Sequence, residues 1–216
     1  MKKIAILLAF LIASWIGAHA QEFHFIPRIG LNLSSLYPIE NYRSMRAGLN
    51  IGVAEEIRFS RLFALEPGIY YSMQGYRRDY SRDGNACLKA DYLNIPVYAK
   101  FYLWQGFHLF AGPQVSFNVR AKATDYIFSS SLCPPFMDEE YHDASGDIRE
   151  EIRNCGFSLV MGAGYTFDWG LVVSANYILG CTPFFSDTND FLTGGSSYFQ
   201  GKGQNSVLQI NVGWRF

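Results

Sequence analysis

Apart from one stretch near its start, the chain lacks long hydrophobic runs. Residues 4–16 are apolar over 13 positions, short of the roughly 20 that a spanning helix needs. Nothing downstream is longer, which excludes a helical membrane protein. A basic excess is missing as well: 18 Lys and Arg stand against 19 Asp and Glu, a net charge of −1. No basic run is present to track a phosphate backbone, so nucleic acid is excluded as a partner. Cysteine is limited to four residues, and none are spaced Cys-x-x-Cys, the pattern of thiol redox centres and many zinc sites. There is no Gly-x-Ser-x-Gly elbow or comparable nucleophile motif, and no cofactor is expected.

Lys2 and Lys3 precede the apolar stretch, and Ala18-His19-Ala20 follows it as a small-x-small cleavage site. Residues 1–20 therefore read as a signal peptide, and residues 21–216 as one exported domain. No cysteine lies near the junction, which sets the lipoprotein route aside. Without Lys2 and Lys3 the charge moves to about −3, still far from a nucleic-acid binder.

Aromatic residues make up 17% of the chain and glycine contributes 20 residues. They occur in segments of period two. The last segment sets Leu208, Ile210, Val212, Trp214 and Phe216 against Gln209, Asn211, Gly213 and Arg215. An apolar face alternating with a polar one, closing on an aromatic carboxylate, is the pattern of an outer-membrane strand. Similar segments fall near 23–35, 46–59, 62–76, 90–103, 107–120, 154–167, 171–181 and 205–216, eight in all. In the second, Ala47, Leu49, Ile51 and Val53 alternate with Gly48, Asn50, Gly52 and Ala54. In the sixth, Phe157, Leu159, Met161, Ala163 and Tyr165 alternate with Ser158, Val160, Gly162 and Gly164.

The connections alternate in length. Ser60 and Arg61, residues 104–106 and residues 168–170 are tight, whereas 36–45, 77–89, 121–153 and 182–204 are long. This predicts an all-β, eight-stranded antiparallel up-and-down transmembrane barrel with short periplasmic turns and long extracellular loops. Trp104, Trp169 and Trp214 fall at the tight-turn end with Phe59, Phe63, Phe101, Phe107, Phe167 and Phe216, as an interfacial aromatic girdle would. A soluble ligand-binding barrel would have its apolar face inside. Arg28, Glu56, Arg58, Glu66, Lys100 and Arg215 all share the polar face, while the apolar face is broad and aromatic over eight segments, which favours lipid outside.

Pro27-Arg28-Ile29-Gly30-Leu31-Asn32, Leu65-Glu66-Pro67-Gly68-Ile69-Tyr70-Tyr71-Ser72, Tyr92-Leu93-Asn94-Ile95-Pro96-Val97-Tyr98-Ala99-Lys100, Phe110-Ala111-Gly112-Pro113-Gln114 and Gly162-Ala163-Gly164 together resemble the PorT-like outer-membrane β-barrel proteins of Bacteroidetes. The resemblance spans most of the exported domain. It implies a porin-like outer-membrane barrel, and it links some members to type IX secretion, a role that fold alone does not transfer.

Register places Glu56 and Glu66 inward on adjacent strands, with Arg28 and Lys100 at similar depth and Arg58 and Arg215 near the rim. Carboxylates that close require cationic partners or a proton. They would either serve acid–base or substrate chemistry or plug a lumen just wide enough to be filled by side chains, and the plug is favoured. His108 is expected inward near Arg58 and Arg215 as a hydrogen-bonded lumen group. His142 lies with Asp138, Glu139, Glu140 and Asp143. These are oxygen-rich neighbours whose spacing matches no metal motif, so no metal site is assigned. Ser129, Ser130 and Ser131 share that loop and read as turn chemistry. Glu55 points outward, marking either a bulge or the approach to the interface.

Cys87, Cys133, Cys155 and Cys181 map to the external side, where an oxidising compartment favours disulfides. Cys155 and Cys181 are about equidistant from the turn at Asp168 and Trp169, so the expected pairs are Cys155 with Cys181 and Cys87 with Cys133. Phe184, Phe185, Phe191, Tyr198 and Phe199 lie in the last long loop, either as a contact surface for a partner or as a lid over the barrel mouth. The expected function is non-enzymatic binding of an extracellular protein, glycan or small molecule by tethered loops. The bilayer and the barrel-assembly machinery are its other partners. Narrow porin-like or secretion-linked transport, and a lipid-modifying activity, are the alternatives.

Overall fold

The computed structural model describes residues 22–37, 43–80, 84–126, 146–147, 152–184 and 203–216. Segments of period two bury one face only when both strand edges find partners. Among the described residues nine strands form: β1 (Glu22–Tyr37), β2 (Arg43–Arg58), β3 (Phe63–Tyr80), β4 (Gly84–Trp104), β5 (Phe107–Tyr126), β6 (Gly146–Asp147), β7 (Cys155–Thr166), β8 (Leu171–Pro183) and β9 (Gln204–Trp214). Every pairing is antiparallel. The sheet runs from β1 to β5 in chain order, β5 pairs with β7, and β9 returns to β1, closing eight strands into a barrel. Two-residue β6 adds to β5 at Lys122 and Ala123, beyond the rung Phe117↔Cys155 that β5 shares with β7. Closure removes the strand edges that hydrocarbon cannot satisfy.

The expected spans match the barrel strands, with one systematic difference. β4 and β5 run to 21 and 20 residues, about twice the ~9–11 needed to cross a bilayer. Their added length lies on the long-loop side, in stretches containing Asn85, Lys89, Lys122 and Asp125. Those residues break the apolar alternation, but not the pairing: Asn85↔Tyr126 still closes a rung. At the other end the hairpins are tight. Gln105 and Gly106 take φ of 37° and 89°, the left-handed pair that a two-residue hairpin requires. Ser60 Oγ accepts hydrogen bonds from the backbone N–H groups of Leu62 and Phe63 at 3.2 and 3.0 Å.

The faces separate as the alternation predicts. Leu31, Ile51, Leu159, Met161 and Ile210 are exposed, whereas Asn32, Asn50, Ser72, Asn94, Gln114, Asn176, Gln209 and Asn211 are buried inside. That arrangement inverts a soluble barrel and suits lipid outside. The short-turn end carries ring contacts from Phe59 to Phe63 to Phe101, and from Tyr165 through Phe167 and Trp169 to Trp214, with centroids 4.7–5.9 Å apart. These rings form arcs of the expected girdle.

Glu55 sits opposite Phe25 in a β1–β2 register that runs unshifted from Glu22↔Arg58 to Ser34↔Arg46. The irregularity of β2 falls between Met45 and Asn50. Glu55 therefore marks the approach to the interface and not a bulge.

The disulfide expected between Cys155 and Cys181 is corrected: both are free, exposed thiols. The β7–β8 register places Ser158 opposite Gly180, so Cys181 extends to a rung with residue 157 and Cys155 to one with residue 183. Diagonal neighbours lie ~7–8 Å apart, beyond the ~3.5–4.5 Å between Cβ atoms that a disulfide requires. Counting outward from the turn misses this two-residue offset. Cys87 is buried and is not a free thiol, and Cys133 lies outside the described residues.

Candidate functional site

Inward positions near the tight hairpins are occupied by charge because β1–β4 each place one or two ionic side chains at the same depth. Arg28 on β1 forms a two-pronged pair with Glu66 on β3, Nη1 donating to Oε1 and Nη2 to Oε2, both at 2.7 Å. Lys100 on β4 bridges the carboxylates, its Nζ 2.6 Å from Glu56 Oε2 and 2.7 Å from Glu66 Oε2. Arg58 Nη2 donates to Glu56 Oε1 at 3.0 Å, and Tyr102 Oη donates to Glu56 Oε2 at 2.6 Å. Each carboxylate thus receives three hydrogen bonds. Arg58 also stacks over the Tyr102 ring at 4.4 Å.

Glu56, Glu66 and Lys100 are at most 1% exposed. Ions removed from water to that degree persist only when the geometry is good and further hydrogen bonds are made; both carboxylates are so supplied, while Arg28 Nε and Arg58 Nε are left without a partner. The structure therefore joins five of the six charged residues singled out from sequence. Arg215 is the exception: it makes no ion pair within 4 Å among the described residues. Following Trp214, the last residue of β9, it lines the open mouth and not the buried network.

Above the ions, toward the loops, lies a layer of rings and then one of amides. Tyr98 and Phe110 meet with centroids 5.1 Å apart. Asn50 Nδ2 donates to Asn211 Oδ1, Asn211 Nδ2 to Asn176 Oδ1, and Asn176 Nδ2 to Gln209 Oε1, each at 2.9 Å. This chain links β2, β9 and β8 across the barrel wall. The alternation puts Asn50, Gln209 and Asn211 on the polar face but says nothing of their linkage. The signal was an Asn or Gln at matching inward positions of β2, β8 and β9. The cavity beside them holds about 10 Å³, close to the space of a single water.

Small inward residues make room for these rings. A Cβ at Gly52 would stand 2.5 Å from Tyr70 Cδ1, one at Gly162 would stand 2.6 Å from Phe110 Cζ, and one at Gly164 would stand 2.6 Å from His108 Nε2. His108 is fully buried as expected and sits against Tyr102, centroids 5.1 Å apart. Its Nδ1 lies 3.0 Å from Gly106 O, and its Nε2 has no hydrogen-bond partner.

The external end is closed differently. Leu36, Tyr76, Leu88, Tyr92, Ile152 and Phe184 form a buried apolar cluster, with the Tyr76 and Phe184 rings edge to face at 6.3 Å. Phe184 is only 4% exposed, so this one loop aromatic is packed inward against the cluster. Phe185, Phe191, Tyr198 and Phe199 lie outside the described residues. So do Ser129, Ser130, Ser131, His142 and their acidic neighbours.

A family model for the outer membrane protein β-barrel domain matches residues 19–186. The chain belongs to that family. It is therefore an outer-membrane β-barrel, in keeping with the lipid-facing exterior. Among solved structures it is similar to Neisserial surface protein A, at 11% identity and a TM-score of 0.50, over 92% of this chain and 100% of that one. That likeness is one of fold. Ail of Yersinia pestis (15% identity, TM-score 0.44, 90% of this chain and 99% of that one) and OprG of Pseudomonas aeruginosa (13%, 0.44, 91% and 97%) are more distant. No curated protein matches the chain.

Proposed function

We propose that this family member is a non-enzymatic, non-conducting outer-membrane barrel that holds an extracellular surface in place for a protein, glycan or small-molecule ligand. One observation carries the reading: the buried ionic network of Arg28, Glu66, Lys100, Glu56 and Arg58, in which each carboxylate accepts three hydrogen bonds, spans four strands at a single depth. A solute route past it must break pairs whose separate members would be left as buried charges, at ~3–5 kcal/mol for each partner removed. The apolar cluster under the loops adds a second barrier of different chemistry.

On this reading residues 1–20 are removed on export, the barrel-assembly machinery inserts the mature chain, and Cys87 pairs with Cys133 to tether two external loops. The PorT-like resemblance fits such a barrel, and a role in type IX secretion would require a route that the network closes.

Planar-bilayer recordings test it. The wild-type barrel is expected to give no steady conductance. Regular channels that vanish when Glu56 or Lys100 is replaced would overturn the plug and favour narrow transport, while a changed lipid mass profile on expression would point to an enzyme.

A further inference from the structure

The short-turn mouth of the barrel holds an open cavity of about 280 Å³ lined by Arg58, Arg61, Arg215, Gln105, Thr166 and Asp168, with Leu62, Leu103 and Trp104 on its wall. This approaches the ~300 Å³ at which small-molecule sites begin, and the lumen network does not use most of it. Three guanidinium groups face one carboxylate. Arg61 and Arg215 make no ion pair within 4 Å among the described residues, and Arg58, tied to Glu56, lines the cavity as well. A second feature points to a missing ligand atom. Thr166 is 5% exposed, lines this cavity, and its Oγ1 has no hydrogen-bond partner. A buried hydroxyl without a partner is unfavourable, and a turn of the Thr166 side chain toward the cavity would let it donate to an oxyanion there.

We propose that this mouth binds a phosphate group, and that its source is the headgroup of an anionic phospholipid in the inner leaflet. Guanidinium forks match phosphate oxygens in geometry and charge. The location selects a lipid over a soluble ion: Leu62, Leu103 and Trp104 are 66%, 59% and 74% exposed and stand at the aromatic belt, the depth of headgroups. An amphiphile can therefore place its phosphate on the arginines while its glycerol and upper chains cover the apolar rim. Asp168 on the same wall disfavours a second anion, so one phosphate per barrel is expected.

The test uses the folded barrel in phosphatidylcholine nanodiscs containing a minor share of phosphatidylglycerol, with bound lipid counted by native mass spectrometry after release. One phosphatidylglycerol should be retained in preference to phosphatidylcholine. R61Q/R215Q should lower its retention at least about tenfold, as losing charge-assisted hydrogen bonds requires. T166V should lower it less, and K122Q, the loss of one positive charge on the external part of β5, should not alter it. An unchanged boiling-dependent gel shift shows that each variant is folded.

Free glycerol phosphate forms the second arm. Weak binding there with strong lipid retention supports the lipid. Tight binding of glycerol phosphate without lipid preference keeps the phosphate site but overturns its lipid source. Equal retention by wild type and R61Q/R215Q, or no preference over phosphatidylcholine, overturns the site.

Discussion

The two ends of the lumen are closed by opposite means. Near the hairpins the closure is ionic, with Arg28, Glu66, Lys100 and Glu56 at 2.6–2.7 Å. Near the loops it is apolar, with Phe184 folded onto Tyr76. The difference follows from how well the backbone is held. Ion pairs without water tolerate little misplacement, because an unfilled lone pair restores the desolvation cost. The two- to four-residue hairpins fix the flanking strands closely enough for such pairs. Long loops cannot place a charge with that accuracy, whereas a phenyl ring packs acceptably in many orientations, since dispersion and burial are non-directional.

The sharpest way to break this contrast is at Glu66. Glu66→Ala leaves Arg28 and part of Lys100 without their carboxylate, and should destabilise the barrel by ~3–5 kcal/mol, read as a lower urea midpoint for unfolding in detergent. A loss below ~1 kcal/mol would mean that water already reaches the site. Phe184→Ala should come next, at ~2–3 kcal/mol, under the ~3–5 of a deep core Phe because its segment can relax into the gap. Its diagnostic is greater protease sensitivity confined to the external side, and cleavage at the hairpins instead would contradict the assignment.

Gly164→Ala drives a methyl toward His108 and should cost ~1–3 kcal/mol. Combining it with His108→Ala should recover part of that loss, so additive effects in the double variant would show that the close approach does not matter. Asn211→Ala removes two links of the amide chain, with an expected cost of ~1–2 kcal/mol. Smallest of all, maleimide should label Cys155 and Cys181 on intact cells without reductant, leave Cys87 unlabelled, and shift stability by no more than ~0.5 kcal/mol. Protection of the first two would restore the disulfide set aside above.

Much of the architecture was legible as period. Alternation along β9 assigned Leu208, Ile210 and Val212 to lipid and Gln209 and Asn211 to the interior, and both faces stand so in the barrel. The ionic residues were legible for the same reason, since Glu56 and Glu66 sit at countable distances from a tight turn. Legibility fell with distance from the turns. One offset in register separated Cys155 from Cys181, and Phe184, left between a contact surface and a lid, folds inward because the apolar ends of β3 and β4 offer it a place to bury.

The sequence by itself therefore determined the number of barrel strands, the hairpin ends, the lipid and lumen faces and the depth of most of the charged residues, because these depend on a two-residue repeat and on counting along short connections. Only the tertiary structure decided who partners whom: that Lys100 bridges both carboxylates, that Arg58 joins the network while Arg215 does not, that the asparagines form one chain and that Phe184 caps the lumen. Those choices turn on distances of a few ångströms between strands remote in sequence, and the period of a strand carries no information about them.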